Sequence, residues 1–181
     1  MMDVSANPHP RKSYWLSLAA LAVVLPVAIV VHSQGELIQW LRAAFRSPTT
    51  VEKGASQSYA GADWRLTGLA RLPGALPGTT VVLAEYEAAV EDEARLRDSF
   101  PCKLALVDDR GRRWKGTFMV DPVVRKMRPD AAQKPHCGTA EASRKGDTIR
   151  MAESFVIPQD ADGLMLSLAL YGGMPDSLLL K

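Results

Sequence analysis

Chemically reactive residues are thin in this sequence. There are two cysteines, Cys102 and Cys137, and three scattered histidines, His9, His32 and His136. Their spacing matches no standard structural zinc module. No phosphate-cradling glycine loop, His-Glu-x-x-His helix or Gly-x-Ser-x-Gly elbow occurs, so the common signatures of nucleotide, zinc-peptidase and serine-hydrolase chemistry are missing. The net charge is only +2 and no dense Lys/Arg tract is interleaved with aromatics, so nucleic acid is not an expected partner. No cofactor is expected, and the proline and glycine are spread through turns instead of forming a low-complexity tract.

Charge itself is missing from one stretch. No Asp, Glu, Lys or Arg lies between Ser13 and Gly35, and Tyr14–Val31 is a run of 18 uncharged, mostly apolar residues behind Arg11 and Lys12. As a helix this run reaches roughly 27 Å, close to a hydrocarbon core of roughly 30 Å. Tyr14 and Trp15 stand at its leading edge, where aromatic rings sit at the membrane interface, and Pro26 is tolerated mid-span. The expectation is a cytoplasmic tail (1–13) followed by a transmembrane signal anchor (14–32) in the plasma (inner) membrane, with the remainder extracytoplasmic. A cleaved signal peptide, cut after Ser33, is the competing reading. Against it, the apolar run exceeds the usual 7–15 residues of such a core, and Val31-His32-Ser33 departs from Ala-x-Ala.

Ser33-Gln34-Gly35-Glu36 has capping-box spacing, and Leu37, Trp40, Leu41, Ala44 and Phe45 then share one helical face. Residues 33–47 therefore read as a juxtamembrane amphipathic helix. It either lies in the outer interface with Trp40 and Phe45 among headgroups, or packs on its own domain. Residues 48–62 read as a linker.

Beyond residue 63 the hydrophobic period becomes two, so 63–181 is expected to be an all-β sandwich. Thr80–Glu91 places Val82, Ala84, Tyr86, Ala88 and Val90 on one face, with Glu85, Glu87 and Glu91 on the other. A helix through Ala84–Arg97 is the alternative, because Ala and Glu favour it. Cys102–Val107 and Arg113–Phe118 read as a hairpin around Asp108-Asp109-Arg110-Gly111. Met119–Lys145 reads as a long irregular connection. The strand opening at Gly146-Asp147 has Ile149, Met151, Phe155 and Ile157 inward, and Leu164–Leu170 alternates again after a turn.

The segments KLALVDDRGRRW and KGDTIRMAESFVIPQDADGLMLSL resemble bacterial extracytoplasmic immunoglobulin-like domains of unassigned function. Those domains carry a strand ending in an Asp-x-x-Gly turn and a later strand ending in Phe-Val-x-Pro-x-x-Ala. The resemblance implies an immunoglobulin-like fold on a lipoprotein or single-span protein, and carries no catalytic residues. The cysteine pair and the acidic stretch Glu85–Asp98 depart from its pattern.

Outside the membrane, cysteines 35 positions apart are expected to form one disulfide. It would stabilise the fold by roughly 3–4 kcal/mol in the chain-entropy model. Two rival readings use the same residues: a zinc site from Cys102, His136 and Cys137, or a cysteine acyl-transferase using Cys137 with His136 and Arg144. Asp160-Ala161-Asp162-Gly163 echoes a calcium loop but lacks the closing glutamate. Arg110, Arg112, Arg113, Lys115, Arg125, Lys126 and Arg128 concentrate in one hairpin and the segment after it; they either keep a turn solvated or form a surface for anionic or acidic partners. The function that fits is a non-catalytic binding or assembly module of the cell envelope, contacting membrane lipids through its anchor and another envelope or membrane protein through its outer domain. An accessory subunit of a transport or secretion complex, and a thiol-dependent envelope enzyme, are the alternatives.

Overall fold

A computed structural model describes residues 14–28, 48–117, 119–137, 144–174 and 176–181. The chain divides into two compact units, Met1–Ala44 and Phe45–Lys181. In the first, residues 14–28 form a helix, α1, whose apolar side chains, Leu16, Leu21, Val23 and Val24 among them, are exposed. The Tyr14 and Trp15 rings meet edge to face at its start, 6.2 Å apart. No described helix is long and apolar enough to cross a membrane. Trp40, Phe45 and the expected helix over 33–47 lie outside the described residues.

The second unit is a β-sandwich. One sheet has the order β1 (Thr49–Val51), β9 (Leu178–Leu180), β8 (Met165–Leu170), β5 (Cys102–Val107) and β6 (Arg113–Lys115). The other runs β2 (Gln57–Tyr59), β3 (Ala62–Pro73), β4 (Thr79–Val90) and β7 (Thr148–Pro158). Alternation builds the core between them. Val82, Ala84, Tyr86, Ala88 and Val90 of β4 meet Ile149, Met151, Phe155 and Ile157 of β7, and Leu106, Leu166, Leu168, Leu170, Leu178 and Leu180 come from the facing sheet. Trp64 of β3 is buried in the same cluster, and its indole N–H donates to the Tyr59 carbonyl at 2.9 Å, so burial leaves no donor unsatisfied.

Thr79–Val90 is thus a strand, and the helical alternative survives only as the short α2 (Glu93–Ser99) after it, capped by Asp92. Its opposite face is also covered. Val81 and Leu83 join Leu72, Ala152, Val124 and Ala131 in a second, smaller core under α3 (Pro122–Met127) and α4 (Pro129–Ala132). Those helices correct the expectation of an irregular connection. Asp121 caps α3 by accepting from Val123 N at 2.8 Å, and Pro122 sits where a missing N–H costs nothing. The stretch expected to be a linker holds β1 and β2. β1 pairs in parallel with the C-terminal β9, from Thr49↔Leu178 to Val51↔Leu180, a long-range match that local period cannot show.

The β5–β6 hairpin forms as expected, pairing Ala105↔Lys115, Leu106↔Trp114 and Val107↔Arg113. Asp108 organises its turn by accepting from Arg110 N (3.1 Å), Arg112 N (2.7 Å) and Arg112 Nε (2.7 Å). Gly111 supplies the positive φ, +78°, that closes it.

Candidate functional site

β6 and β7 are edge strands on the same side of the sandwich, and a cleft of about 900 Å³ opens where they approach. Two loop residues cap the β7 edge there: Thr117 N donates to Ser154 O (2.8 Å), and Ala152 N donates to Pro135 O (3.3 Å). Capping satisfies edge groups that would otherwise invite another strand. The segment before Cys137 is held in this place by the Cys102–Cys137 disulfide, which spans a Cα–Cα distance of 6.0 Å. The expected pairing is therefore present. It fastens the end of the α3–α4 segment to the start of β5.

With both sulfurs in that bond, neither cysteine is a thiolate here, and the zinc and acyl-transferase readings lose their ligand and nucleophile. Among the described residues no group of three His, Cys, Asp or Glu is placed to hold a metal ion. His136 instead meets a carboxylate: its Nδ1 lies 3.3 Å from Glu153 Oε2. Glu153 occupies the inward face of β7 between Met151 and Phe155, and its side chain is 10% exposed. Burial pushes the Glu153 carboxyl above the ordinary glutamate range, and the neighbouring His136 offsets that only in part. Gly116 makes the room, since a Cβ there would stand 2.7 Å from Glu153 Oε1. Deeper in the core, the Tyr86 hydroxyl is buried against the Cys137 backbone without hydrogen-bond geometry to any described partner. Burial, with the Glu153 charge adding to it, raises that phenol far above its usual range.

Glu153 is the residue that the sequence reading passed over. Its signal was available: in the inward row Ile149, Met151, Phe155 and Ile157, the missing alternate position is a carboxylate. A lone acid on a core-facing strand face needs a partner, and here it has His136 at the wall of the cleft.

The basic residues separate into four groups. Arg110 and Arg112 are neutralised within the fold. Arg112 Nη1 lies 3.0 Å from Asp160 Oδ2, Arg110 Nη1 lies 3.5 Å from the same atom, and Arg112 also stacks 5.4 Å from the Trp114 ring centre. Burial works against the Asp108 carboxylate, but its bonds from Arg112 and Arg110 outweigh that and hold it below the usual range. Arg128 and Lys134 converge on Glu85, at 2.6 and 2.7 Å, which ties α3–α4 to β4. Glu87 likewise accepts Arg65 and lies 4.0 Å from Arg150, so Glu85 and Glu87 are both partners within the fold. Arg125 and Lys126 stay exposed on the last turn of α3.

Arg113 and Lys115 form the fourth group, and Lys103 joins them. Register places Lys115 opposite Ala105, Ala105 opposite Ser167, and Lys103 opposite Ala169. One face of the β8–β5–β6 ribbon therefore has a floor of Ala105, Ser167 and Ala169, rimmed by three exposed cations. Arg113 Nη2 donates to Ser167 Oγ at 3.0 Å. Trp114, of opposite parity, faces the sandwich core with Leu104. Because β6 is only three residues long, the cleft is bounded by both of its faces: cations on one side, Trp114, Leu104 and the disulfide on the other.

No family model matches the chain, and no curated protein does. Among solved structures it is similar to a conserved hypothetical protein from Bacillus anthracis (11% identity, 70% of this chain and 92% of that one, TM-score 0.43). It is also similar to an uncharacterised β-sandwich protein from Clostridium difficile (10% identity, 75% and 96%, TM-score 0.45). A third similar structure is a candidate lipoprotein from Staphylococcus aureus (10% identity, 72% and 90%, TM-score 0.45). Likeness at this level says nothing of what the chain binds.

Proposed function

We propose that this protein is a single-pass plasma (inner) membrane protein whose outer domain is a non-catalytic binding module of the cell envelope. The observation that carries the binding role is the cleft between β6 and β7. It has the volume of a ligand site, apolar walls and a few placed polar groups, and its cysteines are tied up in a structural bond. The anchor is supported by the uncharged run Tyr14–Val31 and by α1, whose exposed side chains are apolar apart from Ser17 and the Tyr14 hydroxyl. A helix of that kind needs an apolar surrounding.

The immunoglobulin-like assignment draws on the Asp108-x-x-Gly111 turn and the Phe155–Ala161 segment. The chain also changes sheets between β4 and β5 and again between β6 and β7, as Greek-key sandwiches do. Tethering would confine the module near its partners and raise their effective concentration without a large interface. The disulfide supports an oxidising compartment, and with it the outer side, for the domain. Alkaline carbonate extraction and protease treatment of spheroplasts test the topology. The intact chain is expected to stay with membranes and its sandwich to be cleaved from outside. Release by carbonate, or a sandwich that protease cannot reach, would overturn it.

A further inference from the structure

The ligand class of the cleft can be read from the uneven distribution of its charge. On the same hairpin, Arg110 and Arg112 are matched by Asp108 and Asp160, whereas among the described residues Lys103, Arg113 and Lys115 meet no carboxylate. The three cations frame a floor of small residues, which leaves the charged ends standing above a shallow tray. Around the edge of β6 the lining turns apolar. An occupant that touches both halves needs a compact, strongly anionic head and an apolar body.

We propose that the cleft binds a phosphate-headed single-chain amphiphile, its phosphate on Lys103, Arg113 and Lys115 and its chain against Leu104, Trp114 and the disulfide. The inference rests on the cleft being the binding surface, as argued above. A phosphate fits better than a carboxylate because three cations rim the same floor, and a guanidinium offers phosphate a two-pronged donor set. Glu153 does not oppose it: the carboxyl, packed against Gly116, has His136 3.3 Å away, and burial disfavours its charge. A chain of about six to twelve carbons fits the space, given ligand sites of about 300–1,000 Å³ in general and about 900 Å³ here.

Calorimetric titration of the full chain in detergent with hexyl phosphate, inorganic phosphate and hexan-1-ol tests this, each corrected against detergent alone. Hexyl phosphate is expected to bind at least tenfold more tightly than either fragment. Lys103→Ala/Lys115→Ala should weaken it at least tenfold, while Arg125→Ala/Lys126→Ala changes it less than twofold. All four side chains are exposed, so both variants should retain the near-UV circular dichroism of the parent. Equal binding of hexanol, equal binding of inorganic phosphate, no binding of hexyl phosphate, or an equal loss in the α3 variant would each overturn the proposal. If hexyl phosphate fails but a photoreactive group at position 115 still yields a discrete adduct in cells, the binding module stands and only the amphiphile falls.

Discussion

His136 Nδ1 lies 3.3 Å from Glu153 Oε2 at the inner wall of the cleft. Burial raises the Glu153 carboxyl, with His136 partly offsetting it, so the folded state holds this proton more tightly than the unfolded chain does. Stability should therefore fall as pH rises from about 4.3, the ordinary glutamate value, through the raised folded value. Glu153→Gln should remove that part of the slope and leave the domain more stable on the alkaline side of it. Urea unfolding across this range checks it, and a variant with the slope of the parent would exclude Glu153 as its source.

Tyr86 carries a buried hydroxyl with no described hydrogen-bond partner. Such a group costs desolvation without return, so Tyr86→Phe should be neutral or stabilising by about 1 kcal/mol. Denaturant midpoints at matched slope measure this. A loss of more than about 1 kcal/mol would mean that the hydroxyl has a partner worth a normal hydrogen bond.

The Cys102–Cys137 bond closes a loop with a sequence separation of 35. Cys102→Ser/Cys137→Ser should lower the unfolding free energy by roughly 3–4 kcal/mol. The same loss should appear in the slowest-exchanging amides of both sheets, because in the chain-entropy model the bond acts on the unfolded chain. Unchanged protection of those amides would contradict it.

Ala60 and Gly61 form the β2–β3 turn with φ of +51° and +89°. A Cβ on Gly61 would stand 2.7 Å from both Asp92 O and Leu96 N, at the start of α2. Gly61→Ala should cost at least about 2 kcal/mol, from left-handed strain plus that clash. Ala60→Gly should stay within about 1 kcal/mol of the parent, since relief of strain is offset by glycine's entropy. Thermal unfolding of the two variants gives the contrast directly.

How much of this was legible from residues alone follows from the range of the interactions. β4 and β7 are long, and their alternation is set by burial along a single strand, so Val82–Val90 and Ile149–Ile157 read correctly. The β5–β6 hairpin was legible because Asp108 and Gly111 act within four residues of each other. β1 was not, since its only reason to be a strand is β9 at the other end of the domain. α3 and α4 are too short to show a period, and they owe their place to Val81, Leu83 and Leu72 beneath them. The basic cluster looked uniform because its partners, Asp160 and Glu85, come from other elements. Only the fold separates the matched cations from Lys103, Arg113 and Lys115.

The measurement that bears most directly on the account is photocrosslinking in intact cells, with a photoreactive side chain at position 115 and a control at position 126, read by intact-protein mass. Position 115 borders the cleft, whereas position 126 sits on exposed α3. A discrete added mass from 115, several-fold above the yield from 126, is the predicted result. No adduct from 115, or the same products from both positions, would contradict a ligand site between β6 and β7.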